Sequence, residues 1–321
     1  MIRVVNLGDN SEREVQPQEV KDLSILNVWL EIVDPTENEL LTISQATQIP
    51  VNFLKLPQTS DVVNLRLEPD YGIINFLFIQ DVTSTKKAYP IVMVFSKNFL
   101  VTVAKKEIHP IIVTAKERMS KAKIDPPSQV TYFVIDEIVA NHYLQIEKLE
   151  NLTANMEEEV VEKTSSEILK KIFKLKSSMI SFNKILWYER GLIFNLKKCD
   201  GNCMDERARV LFDTTHEELT RQIDIVETYR EILSDAINVH LSAISNKINL
   251  SIKGLTVVIF YLTIVTTVTS FPNTVATFFG ISQFGSTNIS IITGALLVSI
   301  VLPFIWLWRK KWLTSKRLEL A

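Results

Sequence analysis

Residues 254–308 run for 55 positions without a Lys, Arg, Asp or Glu. A helix on a water-soluble domain keeps a polar face, so two buried core helices account poorly for this interval. A bilayer accounts for it well, since one helical pass needs about 20 apolar residues. The interval divides into 254–281 and 289–308, joined by SQFGSTN at 282–288. Lys253 precedes it, and Arg309, Lys310, Lys311, Lys316 and Arg317 follow it, while the joining loop is uncharged. By the positive-inside rule both ends lie in the cytosol and only the loop faces outside. The sequence therefore predicts a cytosolic domain at 1–125, a helical hairpin and stalk at 126–253, two transmembrane helices and a basic cytosolic tail at 309–321.

The charge that this interval lacks sits in the first 249 residues, which hold 29 basic and 36 acidic groups, a formal −7. A surface so balanced does not suit nucleic acid, whose phosphates need basic groups, and it does suit a cation-rich environment. Cys199 and Cys203 form a C-x3-C pair, yet a zinc site needs about four ligands and no second Cys or His pair complements this one. In the cytosol both thiols stay reduced. The opening MIRVVNLGDN is too polar for the apolar region of a signal peptide. Nor is there a Gly-rich phosphate loop, a nucleophile elbow or an H-E-x-x-H motif, and His109, His142, His216 and His240 are scattered. An enzyme is not indicated, and no cofactor is implied.

Before residue 126 the pattern is mixed α/β. Apolar, β-branched runs at 24–33, 62–67, 72–80, 90–95 and 99–104 end in turn-type residues and predict strands of one sheet. Asp34, Pro35 and Glu37 resemble a helix N-cap, first position and early acid, predicting a helix over 35–48 with Asp34 as its cap. A second helix is predicted over 109–123. After Pro127 no proline recurs until Pro272, so long helices are expected at 129–162 and 165–198. A third, of about 75 residues, starts near Met204 on a stripe of Leu219, Ile223, Val226, Leu233, Ile237, Ile244, Ile248 and Ile252. At 1.5 Å per residue it would be roughly 110 Å long, too long for one domain to bury, so it should act as a stalk packed on the preceding helices or on copies of itself.

Four segments are similar to the CorA magnesium transporter family: WLEIVDPTENEL (29–40), SKNFLVTV (96–103), ETYREILSDAINVHLSAISNKIN (227–249) and IKGLTVV (252–258). The resemblance implies a homopentameric funnel with a cytosolic α/β domain, in which the first transmembrane helix lines the pore and the second surrounds it. It implies passage of hydrated Mg2+ or a related ion such as Co2+, Ni2+ or Zn2+, with further copies of the chain, the bilayer and divalent cations as partners. Where the family carries Gly-Met-Asn at the outer mouth, this chain has Gly280, Ile281 and Ser282.

Within the first span, Thr256, Thr263, Thr267, Ser270, Thr274 and Thr277 follow one another in steps of 7, 4, 3, 4 and 3, which keeps them on one helix face. Asn249 and Ile252 precede this line and Phe260 fills its gap. In an oligomer such a face would give rings of neutral oxygen that solvate the outer waters of an ion without stripping them. The competing explanation is close helix packing, with hydroxyls bonded back to the carbonyl four residues earlier. Asp61, Asp213 and Glu217 are candidates for a regulatory cation site where subunits meet, against the alternative of a solvated helix face. A membrane-anchored oligomeric scaffold or metal sensor with the same fold, but without conduction, is the alternative function.

Overall fold

The structure, a computed structural model, describes residues 1–9, 11–22, 27–57, 63–84, 87–122, 126–162, 165–198 and 204–278, with Ser290, Ile291, Thr293, Gly294, Leu297, Val298, Val301 and Ile305 beyond them. It divides into two compact units, Met1–His240 and Leu241–Ala321.

The first unit is built on a seven-stranded sheet in the order β2-β1-β3-β7-β6-β5-β4. The strands are β1 (Ile2–Asn6), β2 (Glu12–Glu14), β3 (Val28–Val33), β4 (Asn64–Leu67), β5 (Gly72–Ile79), β6 (Ala88–Phe95) and β7 (Phe99–Ala104). Among the described residues only β3 and β7 pair in parallel, from Val28 opposite Phe99 to Val33 opposite Ala104. A parallel pair needs a long crossover, and the chain between β3 and β7 supplies it with two helices and strands β4, β5 and β6.

All six residues of β3 are buried, as expected of a strand covered on both faces. Val28, Leu30 and Ile32 share a core with Leu40 and Ile43 of helix α1 (Glu37–Thr47). Trp29 points to the other face, among Phe76, Met93, Leu100 and Ile112. Its indole nitrogen donates to Thr102 Oγ1 at 3.0 Å, and the Lys116 ammonium lies 5.2 Å from its ring centroid. Glu31, on the same face, is buried and accepts from Lys116 at 2.6 Å and contacts His109 Nδ1 at 3.0 Å. A buried carboxylate is tolerable only with such partners.

Several sequence expectations need correction here. The first strand begins at Val28 rather than at residue 24, because Asn27 turns the chain in the left-handed region (φ 58°) and donates its N–H to Asn98 O at 2.6 Å; positions 23–26 lie outside the described residues. Helix α1 is capped by Thr36 rather than by Asp34. Thr36 Oγ1 accepts from the Glu39 N–H and the Glu39 carboxylate accepts from the Thr36 N–H, so the reciprocal box satisfies two end donors where one cap would satisfy one. Asp34 instead accepts from the Lys106 N–H across the crossover. Strands β1 and β2, and the short helix α2 (Val51–Leu54), were not anticipated.

The helices came closer to expectation. They are α3 (His109–Ala122), α4 (Pro127–Glu162), α5 (Ser166–Lys197) and α6 (Glu206–Phe278), the last with 73 residues. Pro127 opens α4 at a first-turn position, where its missing N–H costs nothing. Asp205 ties the start of α4 to that of α6, accepting from Ser128 Oγ at 2.7 Å, from Gln129 Nε2 at 2.6 Å and from the Ala208 N–H. One face of α6 is buried through Phe212, Leu219, Ile223, Val226, Leu233 and Ala236, in one core with Leu149, Leu175, Met179, Phe182 and Leu186 of α4 and α5. The anticipated stripe therefore has cover as far as Leu233, with Ile237 half-buried, whereas Ile248 and Ile252 are exposed.

In the second unit no described residue is buried. Among the described residues one helix, α6, is long and apolar enough to cross a membrane. The second expected span, at 289–308, falls mostly outside them.

Gly72 lies opposite Phe95 in the β5–β6 pair, and a Cβ there would stand 2.3 Å from the Phe95 ring. Overpacking of this kind costs about 1–3 kcal/mol. Gly72→Ala should therefore lower the thermal midpoint of the purified full chain by several degrees, whereas Gly191→Ala, which meets open space, should not.

Candidate ion pathway

In α6, Asn249, Ile252, Thr256, Thr263, Thr267, Ser270, Thr274 and Thr277 are all exposed, and Phe260 is half-buried against Tyr261, with ring centroids 6.1 Å apart. Four of the threonines donate their hydroxyl protons to the carbonyl four residues back: Thr256 to Ile252 at 2.8 Å, Thr263 to Ile259 at 2.8 Å, Thr274 to Ser270 at 2.9 Å and Thr277 to Asn273 at 2.7 Å. Thr266 and Thr269, off the predicted face, do the same. Back-bonding is thus common to both faces and does not separate a pore lining from a packing face. Its chemical effect is definite, because a hydroxyl whose proton is committed to the backbone presents only lone pairs outward.

Gly280, Ile281 and Ser282 lie outside the described residues, as does Asp61. Asp213 is engaged by an ion pair with Lys197 of its own chain, and Glu217 is exposed. Among the described residues there is no group of three or more His, Cys, Asp or Glu placed to hold a metal ion.

A buried polar cluster between the long helices was not foreseen from the sequence. His142 of α4, Glu189 of α5 and Gln222 of α6 are fully buried. His142 Nδ1 lies 3.2 Å from Gln222 Oε1, and Gln222 Nε2 donates to the Val139 carbonyl at 2.9 Å. Among the described residues neither carboxylate oxygen of Glu189 has a hydrogen-bond partner, and its nearer oxygen stands 3.6 Å from His142 Nδ1. Burial drives both groups toward neutrality, lowering the imidazole pKa to about 4 and raising that of the carboxyl well above its ordinary value. Burial therefore disfavours the charged form of both partners across the 3.6 Å contact. A sequence signal existed only in hindsight: each residue interrupts the apolar face of its helix.

A second polar group joins the sheet domain to the helices. Arg118 of α3 donates to Asp136 at 2.6 Å and to Glu137 at 2.8 Å, and Thr215 of α6 donates to the other oxygen of Asp136 at 3.1 Å. At the loop after β5, Asp81 accepts from Lys148 of α4 at 2.7 Å, and the Lys148 ammonium holds its carboxyl far below the usual carboxylate range.

The sheet domain, the three-helix core and the long exposed helix match known proteins as a whole. A family profile described as CorA-like Mg2+ transporter protein matches residues 27–311. The chain belongs to the CorA family. Among curated CorA-family proteins, the "Cobalt/magnesium transport protein CorA" of Methanocaldococcus jannaschii is 24% identical over 327 residues, covering 97% of this chain and 99% of that one. The complete structure of the CorA magnesium transporter from the same organism aligns with a TM-score of 0.71 at 19% identity, over 96% of this chain and 97% of that one. The full-length CmaX protein aligns with a TM-score of 0.66 at 14% identity, over 96% of each chain. At these identities the structures show a shared CorA-like fold.

The buried cluster generates a pH prediction. A depressed imidazole pKa adds stability above its ordinary value of 6.5, and that stability is lost as pH falls toward about 4. A raised carboxyl pKa adds stability below its ordinary value of 4.5, and that stability is lost as pH rises through the folded value. Glu189→Gln should therefore be more stable than the parent chain at pH 8, by about 1–3 kcal/mol, with the gap closing toward pH 5. Thermal melts across that range check it, and a variant less stable at pH 8 would contradict the burial argument.

Proposed function

We propose that this CorA-family chain forms a membrane channel for hydrated divalent cations, with α6 beyond residue 253 lining a pore in a homo-oligomer, a pentamer by resemblance to the family. The observation that carries it is that α6, with one face buried in the first unit, continues beyond residue 253 without charge and without a buried residue among those described, bearing a line of hydroxyls. An apolar helix without protein around it calls for lipid on one side. A hydroxyl line on the same helix calls for something polar on the other, and further copies of the chain enclosing water satisfy both. Mg2+ sheds its waters reluctantly and is seldom held in an all-protein cage, so oxygen acceptors that touch only the hydration shell suit it. Co2+, Ni2+ and Zn2+ are the other candidate ions. Both termini are cytosolic in this proposal, the loop 282–288 faces outside, and Gly280, Ile281 and Ser282 stand at the outer mouth. Asp61, Asp213 and Glu217 would bind a regulatory cation only after assembly, with the Asp213 ion pair to Lys197 broken.

Flux tests the proposal. With the full chain in liposomes loaded with a Mg2+-sensitive dye, Thr256→Leu, Thr263→Leu or Thr274→Leu should reduce uptake about tenfold or more, because a bulky apolar ring replaces hydrogen-bond acceptors in a narrow path. Thr266→Leu and Thr269→Leu should leave uptake within about twofold of the parent. Equal losses at both sets would assign the hydroxyls to helix packing, and absence of flux from the parent chain would remove the channel itself.

Ion choice gives a separate test at the outer mouth. An asparagine ring holds amide groups at fixed height, whereas Ser282 has a short reach and a rotating hydroxyl. Mg2+ uptake should therefore fall strongly under excess Co2+ or Zn2+, and the double change Ile281→Met with Ser282→Asn should restore Mg2+ preference. Strong preference in the parent chain, unaltered by the double change, would place selectivity elsewhere.

A further inference from the structure

Helix α5 buries one face against α4 and α6 through Ile172, Met179, Phe182, Leu186 and Ile193. An exposed side next to it carries Phe173, Ile180, Trp187 and Phe194, exposed by 57%, 49%, 51% and 44%. They stand seven residues apart, the spacing that keeps a row facing one partner helix in a left-handed crossing. Beside them Ser177, Lys184 and Gly191 form a second row with the same step, and the Gly191 position opens on free space. Scattered exposed apolar residues are ordinary, but a row this long and this aromatic marks a contact surface. Cations lie over the rings: Arg190 at 3.9 Å from the Trp187 centroid and Lys198 at 3.9 Å from that of Phe194.

The exposed charges of α5 are mainly basic, Lys171 among them being paired with Glu159 of α4. Among the exposed charged residues of α5, Lys170, Lys171, Lys174 and Lys184 outnumber Glu167. The exposed line of α6 has the other sign, with Glu217, Asp224, Glu231 and Asp235 set at helical spacing around Arg221. Within one chain both faces look to solvent. We propose that the aromatic and basic face of α5 in one copy docks on the acidic outward face of α6 in the next. Two different patches that complement each other make a head-to-tail contact, which closes into a ring when the rotation per copy divides a full turn. An anionic lipid surface would also attract a basic aromatic helix, but it would leave the acidic line of α6 unanswered, whereas a second copy satisfies both faces. The proposal rests on the homo-oligomer and not on ion flux.

The test uses the full chain with Cys199→Ser and Cys203→Ser, co-expressed in two differently tagged forms. One form carries Ile180→Cys or, independently, Phe173→Cys. The other carries Glu217→Cys, Asp224→Cys or Glu231→Cys. A short bis-maleimide should give a product bearing both tags for at least one pairing, and Ile180→Cys should not link to itself. Lys174→Glu with Lys184→Glu should reduce the product about fivefold or more, and adding Glu217→Lys with Asp224→Lys should restore it, since complementary charge governs docking. Native mass spectrometry separates the two ways of failing: a monomer would overturn the oligomer on which the proposal rests, whereas an oligomer without any two-tag product would overturn this interface alone. Quenching of Trp187 by brominated lipid, with no cross-link, would assign the face to the bilayer and overturn the proposal equally.

Discussion

The structure depends on α4 and α5 covering one face of α6 and stopping near residue 240. Phe212, Leu219, Ile223, Val226 and Leu233 lie in this contact, and burying such side chains stabilises by about 1.5–3 kcal/mol each. Apolar packing alone would allow a helix to slide by a turn. Thr215 bonded to Asp136, and Gln222 set between the Val139 carbonyl and His142, have one satisfactory arrangement each, so they fix which residues of α6 face the hairpin. Past His240 no described residue of the same helix is buried.

The sheet domain shares one apolar core with these helices, and polar contacts fix its place on them. Gln145 of α4 accepts from the Val82 N–H at 3.0 Å and donates to the Gln80 carbonyl at 3.1 Å, beside the pair of Asp81 with Lys148. Arg118 joins α3 to Asp136, the same carboxylate that receives Thr215 of α6. A continuous set of specific contacts therefore runs from the β5 turn through α4 to α6. Helix α4 is the element that both ends of this set share.

The parts legible in sequence were those set by one dominant local rule. Strand β7 and helix α3 were found almost to the residue, because β-branched runs and caps are short-range signals. The long helices were legible because nothing after Pro127 interrupts them. Where two rules competed, the sequence misled: Asp34 and Thr36 are both good caps, and only the reciprocal bond with Glu39 decides between them. Strand β1 was missed because five residues at a chain end carry too little pattern, and its place is set by pairing with β3. The buried His142, Glu189 and Gln222 belong to three separate helices, so no spacing in the chain announces their meeting. The hydroxyl line was visible as a period, but what faces it is a property of an assembly and not of one chain.

The committed hydroxyl protons bear on which ions such a line could favour. A threonine that donates to its own backbone, as Thr256, Thr263, Thr274 and Thr277 do, turns lone pairs outward and so accepts the hydrogens that waters around any cation point away from the ion. It offers nothing to the outward lone pairs of waters around an anion, so a ring of such groups selects by sign of charge without any fixed charge being present. Selection among divalent cations is harder for it. The hydration shells of Mg2+, Co2+ and Zn2+ present the same outward hydrogens, and a neutral acceptor that never reaches the metal senses only small differences in their spacing. Discrimination among these ions therefore requires groups that constrain the shell at fixed positions or replace part of it, and a line of back-bonded threonines does neither.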